Sequence, residues 1–211
     1  KPFLLPDGNV KREIVEVIIP HFKIGYTFDV NQTEGKPLVE LSQQLTGELT
    51  DSQKELKDAL LQISPIPVSF QPIEGSANGF YSLDKNAITV DSTLSEKQSV
   101  KTLIHEIAHA TIHNINIPDA PKDSPTREVQ AESIAYVVCQ YFGMDVSDYS
   151  FGYIAGWSTG KDTKELKESL EIIRDTSNDI ISKTEQTLTQ MQSVKQKVSE
   201  TIQPKRRGRC M

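Results

Sequence analysis

The sequence predicts an α+β fold that is mostly helical, with a small antiparallel sheet and a long C-terminal helix. Three features predict this class: helix start signals ahead of apolar residues at three-to-four spacing, two extended runs on either side of a polar turn, and a final helical pattern far longer than the others. With 211 residues and 36% hydrophobic content, the chain can form one domain with a core and some appended structure.

The first two helices are predicted from capping boxes. Thr50 and Gln53 have the spacing of such a box, and the apolar residues after them give a helix that Pro65 stops. Ser95 and Gln98 have the same spacing and open a second, apolar-rich helix that continues to about position 114. In each box, the two side chains are expected to bond to one another's backbone N–H groups.

Two further helices follow. Ser124-Pro125 places an N-cap residue before a proline at the first helical position, and Gly143 ends this helix after Phe142. Asp162 begins a long polar helix, for which the triplet 176–178 is the candidate interruption. Its apolar positions keep three-to-four spacing: Leu166, Leu170, Ile173, Ile180, Leu188, Met191, Val194 and Val198.

Strands are expected at 66–70 and at 79–90, where two extended runs flank the polar segment 83–86 and resemble a hairpin. Before this region we expect a lead-in with a short apolar run at 13–19 and an extended piece at 27–30. The chain then divides into four parts: a lead-in or linker at 1–45, a domain at 46–160, a long helix at 161–203 and a basic tail at 204–211.

Charge and cysteine content exclude several classes of protein. A net charge of -6 and a pI near 5.3 do not fit a whole surface that binds nucleic acid, and only the segment 205–209 is strongly basic. Cys139 and Cys210 are too few and too differently placed for a disulfide framework, which fits a reducing compartment. No stretch approaches the roughly 20 apolar residues of a membrane span. We therefore expect a cytoplasmic protein without a membrane partner.

The segment 105–109 has the pattern His-Glu-x-x-His inside the second helix. Residues four apart on a helix share one face, so His105 and His109 can bind one metal ion while Glu106 lies beside the open coordination position. Zinc suits these ligands, and the bound water has its pKa lowered towards ~7. Glu106 can take that proton as a general base and pass it to a leaving amine. The motif predicts a zincin-like site with one zinc ion per chain.

The third metal ligand is expected from the next helix. Glu128 lies 19 residues after His109 and can face the metal across an antiparallel connection, while Glu132 lies one turn further along the same face. In one arrangement Glu128 binds the metal and Glu132 accepts the second ring N–H of a ligand histidine. The roles of the two glutamates could be exchanged.

Other polar residues stay outside the predicted ligand set. At ~1.5 Å per residue, His113 lies ~12 Å along the helix from His105 and cannot share its ion, so we expect it near the ligands or on the surface. His21 is unassigned. The segments 78–81 and 88–90 could supply an edge strand that binds an extended peptide. Four side chains are candidates for an oxyanion donor: Tyr81, Tyr136, Tyr149 and His113.

Several segments together resemble the ImmA/IrrE metallopeptidase family: 79–81, 87–90, 102–109, and Glu128 with Ala131. In that family the second helix carries Glu-x-x-Ala followed by Asn or Asp, and its first Glu binds the metal. The resemblance therefore implies a gluzincin-like site with Glu128 as the ligand. This chain departs from the pattern by having Glu132 where the smaller residue is usual.

The segments 27–33, 131–138 and 153–157 resemble more closely the branch found in ArdC-like antirestriction and LtrC-like proteins of plasmids, phages and conjugative elements. The resemblance covers roughly residues 22–182. It implies a zinc peptidase that cleaves a protein or peptide substrate and is associated with a mobile element or phage. A domain that binds single-stranded DNA precedes the peptidase in that branch, and almost none of it is present here. Nucleic acid is therefore expected only through such a domain or through the basic tail.

Two other functions compete with the peptidase hypothesis. The first is a non-catalytic antirestriction module that binds DNA or a restriction enzyme, in which the metal site is structural or residual. A bound metal without turnover would favour it. The second is an interaction protein that acts through the helix at 162–201, whose apolar stripe could mediate self-association.

Overall fold

A computed structural model describes residues 2–4, 10–12, 44–114, 117, 124–146 and 163–202. The chain divides into two compact units, 1–39 and 40–211. In the first unit, β1 (Pro2–Leu4) pairs antiparallel with β2 (Val10–Arg12), a hairpin that the sequence analysis did not predict. Several expected features lie outside the described residues: the pieces at 13–19 and 27–30, His21, the aromatic segment 149–157 with Tyr149, and the basic tail.

The described residues of the second unit confirm the α+β class, with a three-stranded sheet and four helices, of which the last is the longest. Its elements follow in the order α1 (Asp51–Ile63), β3 (Val68–Gln71), β4 (Gly79–Ser82), β5 (Ala87–Asp91), α2 (Glu96–Ile112), α3 (Ser124–Tyr141) and α4 (Thr163–Ile202). No helix in these described ranges is long and apolar enough to cross a membrane.

Helix α1 begins with the predicted capping box. The Thr50 hydroxyl accepts from the Gln53 backbone N–H at 3.3 Å, and Gln53 Oε1 accepts from the Thr50 backbone N–H at 3.0 Å. Both bonds satisfy N–H groups that a helix start leaves without intrahelical partners. The buried face of α1, with Leu56 and Leu60, then joins the core of the second unit.

The sheet has the order β3-β5-β4 and contains one parallel and one antiparallel pair. It is therefore mixed, and the prediction of an antiparallel sheet was wrong in this respect. The hairpin of β4 and β5 is confirmed, with Asn86 at a φ of 45° in its turn. However, β3 pairs parallel with β5, because the chain passes from β3 to the far edge, forms β4, and returns between them as β5. The central position of β5 explains why Ile88, Thr89 and Val90 are all buried.

Helix α2 lies at the centre of the second unit and packs against α3, β4 and β5. Its predicted capping box forms only in part. The Ser95 hydroxyl accepts from the Gln98 backbone N–H at 3.2 Å, but the Gln98 side chain instead accepts from the Leu45 backbone N–H at 3.0 Å. The preceding segment therefore competes successfully for the side chain that would complete the box.

The last two helices cover α1 and α2. Helix α3 ends before Gly143, whose φ of 73° is a left-handed conformation that glycine adopts readily. Helix α4 continues through the triplet 176–178, where Thr176 and Ser177 are buried against the other helices. The apolar stripe of α4 is only partly covered, since Ile173 and Ile180 are buried while Leu170 and Val194 are exposed.

Candidate metal centre

The two histidines of the motif lie side by side on helix α2. His105 and His109 are four residues apart, and their Nε2 atoms are 3.1 Å from each other. This is the spacing that one turn of helix imposes on its side chains. Their side chains are 18% and 14% exposed, so both rings lie largely within the unit.

Helix α3 brings Glu128 to the same point. Its Oε2 is 3.5 Å from His105 Nε2, and its Oε1 is 3.5 Å from His109 Nε2. One ligand atom from each of the three residues lies within 4.8 Å of the other two, which is a group able to hold a metal ion. Polar contacts with the two histidines, that with His105 first, hold the pKa of Glu128 well below its usual range. The structure thus brings together the three residues predicted as ligands.

Glu132 contacts the other side of His105. Its Oε2 is 3.3 Å from His105 Nδ1, and its Oε1 is 2.7 Å from the Lys101 Nζ. Burial lowers the pKa of Lys101, against the attraction of Glu132. Burial alone would also lower the pKa of His105, but hydrogen bonds to Glu128 and Glu132 outweigh it and raise the pKa to about 9. Glu132 therefore occupies the position of a carboxylate that orients a ligand histidine.

His113 is buried and contacts His109 rather than solvent. The Nδ1 atoms of these two histidines are 2.8 Å apart, and His113 Nε2 is 2.9 Å from Gln130 Oε1. Burial is the largest cause that lowers the pKa of His113, to about 4. Since both of its ring nitrogens have partners, His113 is not available as the oxyanion donor considered above.

Glu106 lies beside the group formed by His105, His109 and Glu128, and close to strand β4. It is 6% exposed, and burial raises its pKa, while the backbone N–H of Tyr81 donates a hydrogen bond to it. A carboxylate held in this way is suited to act as a general base. The Tyr81 hydroxyl instead donates to Asn86 Oδ1 at 3.5 Å, so it is engaged away from Glu106.

Two cavities open on this site, of about 270 and about 330 Å³. Both are lined by Gly79, His105, Glu106 and Glu128, so the metal position lies where they meet. The first cavity extends towards Lys101 and is lined mainly by polar residues. The second extends along β4 and includes Phe80, Leu83 and Arg127. Tyr136, another oxyanion candidate, lines neither cavity.

Gly79 allows strand β4 to approach helix α2 closely. A Cβ atom at this position would lie 2.6 Å from Thr102 Cγ2, 3.0 Å from Thr89 O and 3.4 Å from Glu106 Cγ. At a distance under 3.0 Å, either the Thr102 side chain or the backbone next to it would have to shift. The absence of a side chain at position 79 therefore places the strand beside Glu106.

The variant Gly79→Ala is expected to lower the free energy of unfolding by about 1–3 kcal/mol, because the new methyl group overpacks the contact between β4 and α2. Thermal and urea unfolding would measure the loss. Thr102→Ser keeps the hydroxyl at position 102 but removes the methyl group of the closest clash. We therefore expect Gly79→Ala to cost less stability when it is added to Thr102→Ser than when it is added to the parent. Equal stability of Gly79→Ala and the parent would show that the strand is not held by this contact.

Sequence reasoning named Glu132 as a candidate partner of a ligand histidine, but it missed the other supporting contacts. It did not predict the contacts of Lys101 and Gln130, or the hydrogen bond between His109 and His113. A signal was present for two of these residues, since Lys101 precedes His105 by four positions and His113 follows His109 by four. Gln130 comes from another helix, and its contact depends on how α2 and α3 pack.

Comparison with known proteins gives one curated relative. The chain is 28% identical over 192 residues to pXO2-81, a Bacillus anthracis protein described as uncharacterised. The match covers 82% of this chain but 32% of the relative, so the chain spans about a third of that protein's length. No protein-family model matches the chain.

Two solved structures of the antirestriction protein ArdC from plasmid R388 are also similar to this chain. The metal-free structure has a TM-score of 0.47 and 16% identity, and the match covers 75% of this chain and 60% of that one. The Mn(II)-bound structure has a TM-score of 0.39 and 18% identity, with 77% and 60% covered. Both neighbours belong to the ArdC branch that the sequence resemblance named, and the ImmA/IrrE relationship stays a prediction. TM-scores below 0.5 transfer no function between proteins.

Proposed function

We propose that this chain is a zinc-dependent metallohydrolase that cleaves peptide bonds in a protein substrate. The observation that carries the proposal is the convergence of His105, His109 and Glu128 beside the buried carboxylate of Glu106. Three potential ligand atoms and an adjacent proton acceptor are the minimum that such a hydrolase requires. The chain spans about a third of the length of its curated relative. Any activity of the whole protein is therefore proposed here and not observed.

The donor set fits one zinc ion. Two imidazole nitrogens and one carboxylate oxygen are the ligands of many catalytic zinc sites, and a tetrahedral ion would keep its fourth position open. Both histidines are also oriented from behind, His105 by Glu132 and His109 by His113. Partners of this kind hold ligand rings in place before the ion arrives.

The metal ion would lower the pKa of a water molecule and polarise the substrate carbonyl. Glu106 carries out the two proton transfers of the reaction. Its carboxylate accepts the proton of the attacking water and then donates it to the nitrogen of the leaving amine, so the carboxylate is regenerated at the end of the cycle. The backbone N–H of Tyr81 lies beside this carboxylate and lowers its pKa, against the larger effect of burial.

A peptide is the preferred substrate because β4 is an edge strand that lines the second cavity. An edge strand can pair its backbone with an extended peptide and so place a scissile bond beside the catalytic groups. Strand β4 lies close to the general base, since a Cβ atom at Gly79 would be 3.4 Å from Glu106 Cγ.

The second candidate function is the non-catalytic antirestriction module that the sequence resemblance implies. It would use the same residues to hold a metal without turnover, and it would act by binding DNA or a restriction enzyme. The two solved structures are of an antirestriction protein. Their TM-scores are below 0.5, so this likeness does not favour either candidate function. A bound metal in a protein that cleaves nothing would favour the module over the peptidase.

The proposal is tested by zinc content and by cleavage of a peptide library read by mass spectrometry. We expect one zinc per chain, and cleavage that stops with a chelator and returns with zinc. Glu128→Ala is expected to weaken zinc binding strongly while the protein stays folded, because this side chain is 48% exposed. Loss of its carboxylate removes one ligand and little packing.

The matched variant is Glu132→Gln, which keeps the size of the side chain and one oxygen that can accept from His105 or Lys101. It is expected to bind zinc more tightly than Glu128→Ala. Glu132→Ala is a poorer control, since it removes the side-chain contacts to Lys101 and His105 together and leaves a space where the buried carboxylate was. Zinc bound by Glu128→Ala and lost by Glu132→Gln would reverse the assignment of the two glutamates.

A further inference from the structure

A continuous path of hydrogen bonds runs from the metal centre to the long helix. His109 Nδ1 lies 2.8 Å from His113 Nδ1, His113 Nε2 lies 2.9 Å from Gln130 Oε1, and Gln130 Nε2 donates to the Ser169 hydroxyl at 3.1 Å. The path crosses from α2 to α3 to α4. His113, Gln130 and Ser169 are 6%, 1% and 3% exposed, so the links beyond His109 are buried.

The proton positions along this path follow from the Gln130 amide. Its Oε1 faces His113, and a carbonyl oxygen only accepts, so His113 Nε2 must carry the proton. A neutral imidazole then has a bare Nδ1, which can only accept, and His109 Nδ1 must donate to it. His109 is therefore protonated on Nδ1 and has its lone pair on Nε2.

The direction of these bonds matters because His109 Nε2 is the atom that faces Glu128 and His105. A nitrogen can bind a metal only through a lone pair. If the Gln130 amide were turned over, its N–H would donate to His113 Nε2, every bond along the path would reverse, and His109 would present an N–H to the metal position. The orientation of one buried amide thus decides whether His109 can be a ligand.

We propose that His113, Gln130 and Ser169 form a positioning relay that holds His109 as the Nδ1–H tautomer, with helix α4 as its outer support. The relay rests on the metal site of the proposed function, but it does not depend on peptide cleavage. It gives the long helix a role at the site that packing alone would not supply. Residues that orient a ligand in this way commonly change metal affinity by about 10–100-fold when they are replaced.

The direct test is ¹⁵N NMR of the histidine rings in the metal-free parent protein. We expect the neutral ring of His109 to carry its proton on Nδ1 and that of His113 to carry it on Nε2. A His109 ring protonated on Nε2 would overturn the relay, whatever the zinc affinity. This measurement needs no variant, so it remains decisive even where a substitution prevents folding.

Zinc affinity, measured by competition with a chromophoric chelator, tests the same relay through variants. His113→Leu is expected to bind zinc about 10–100-fold more weakly. His113→Asn keeps an acceptor close to His109 Nδ1, so we expect it to recover most of the lost affinity. Parent-like affinity in a folded His113→Leu protein would overturn the relay.

The support from α4 is tested with a matched pair of serines on that helix. Ser169→Ala removes the partner of Gln130 and is expected to weaken zinc binding. Ser177→Ala removes another buried hydroxyl, for which the described residues provide no hydrogen-bond partner, and is expected to leave zinc affinity unchanged. Equal effects of the two variants would contradict the role of α4. Loss of zinc affinity without any peptide cleavage by the parent would keep the relay and reject the peptidase.

Discussion

The variant Glu106→Gln is expected to lower turnover at least ~100-fold, or ~2.7 kcal/mol of barrier, while zinc occupancy and melting temperature stay close to those of the parent. Glu106 is buried with a raised pKa and is proposed as the general base rather than as a ligand. An amide has nearly the same shape and can still accept from the Tyr81 N–H, but it cannot take a proton from water. Peptide cleavage and metal content would be measured on the same sample.

Glu96→Gln is the matched control for this experiment. It removes another carboxylate from α2, at the helix start, where Glu96 accepts from the Leu49 backbone N–H. We expect cleavage by Glu96→Gln to remain near the parent level. If a biological effect such as protection of incoming DNA survives Glu106→Gln in full, the peptidase hypothesis fails as the explanation of function, and the binding module replaces it.

The double variant His105→Ala/His109→Ala is expected to abolish metal binding at this site. Only Glu128 would remain of the three convergent residues, and one partly exposed carboxylate does not hold a zinc ion against water. The stabilisation that zinc gives the parent, about 2.7 kcal/mol at a concentration 100 times the Kd, should disappear. Melting curves with and without zinc would measure it.

The parent protein treated with a chelator serves as the control for the double variant. Both samples are expected to lack zinc, but only the treated parent should recover it when zinc is added back. A double variant that still binds one zinc per chain with similar affinity would show that the metal lies elsewhere, and the metal centre assigned to α2 and α3 would be wrong.

Local patterns predicted much of this molecule because their interactions close within one turn of chain. The Thr50 box formed as expected, since its two partners lie only three residues apart along the chain. The hairpin of β4 and β5 was likewise predicted, from two extended runs that flank a short polar segment. The neighbourhood of His105, Glu106 and His109 follows from helix geometry alone.

Contacts between distant segments decided the rest. Gln98 had the spacing for a capping box, but its side-chain oxygen accepts a hydrogen bond from the Leu45 backbone N–H instead. The parallel pairing of β3 with β5 depended on which edge of the sheet the intervening chain reached. Helix α4 remained continuous across a polar triplet because burial of Thr176 and Ser177 offset their weak helix preference.

The sequence by itself determined the helices, the hairpin and the pairing of two histidines with a glutamate on one helix face. Only the tertiary structure decided how the two glutamates of α3 are placed, with Glu128 facing both His Nε2 atoms and Glu132 facing Lys101 and His105 Nδ1. The physical reason is that helix periodicity fixes which side chains share a face, whereas the rotation and offset of one helix against another depend on the packing of the whole core.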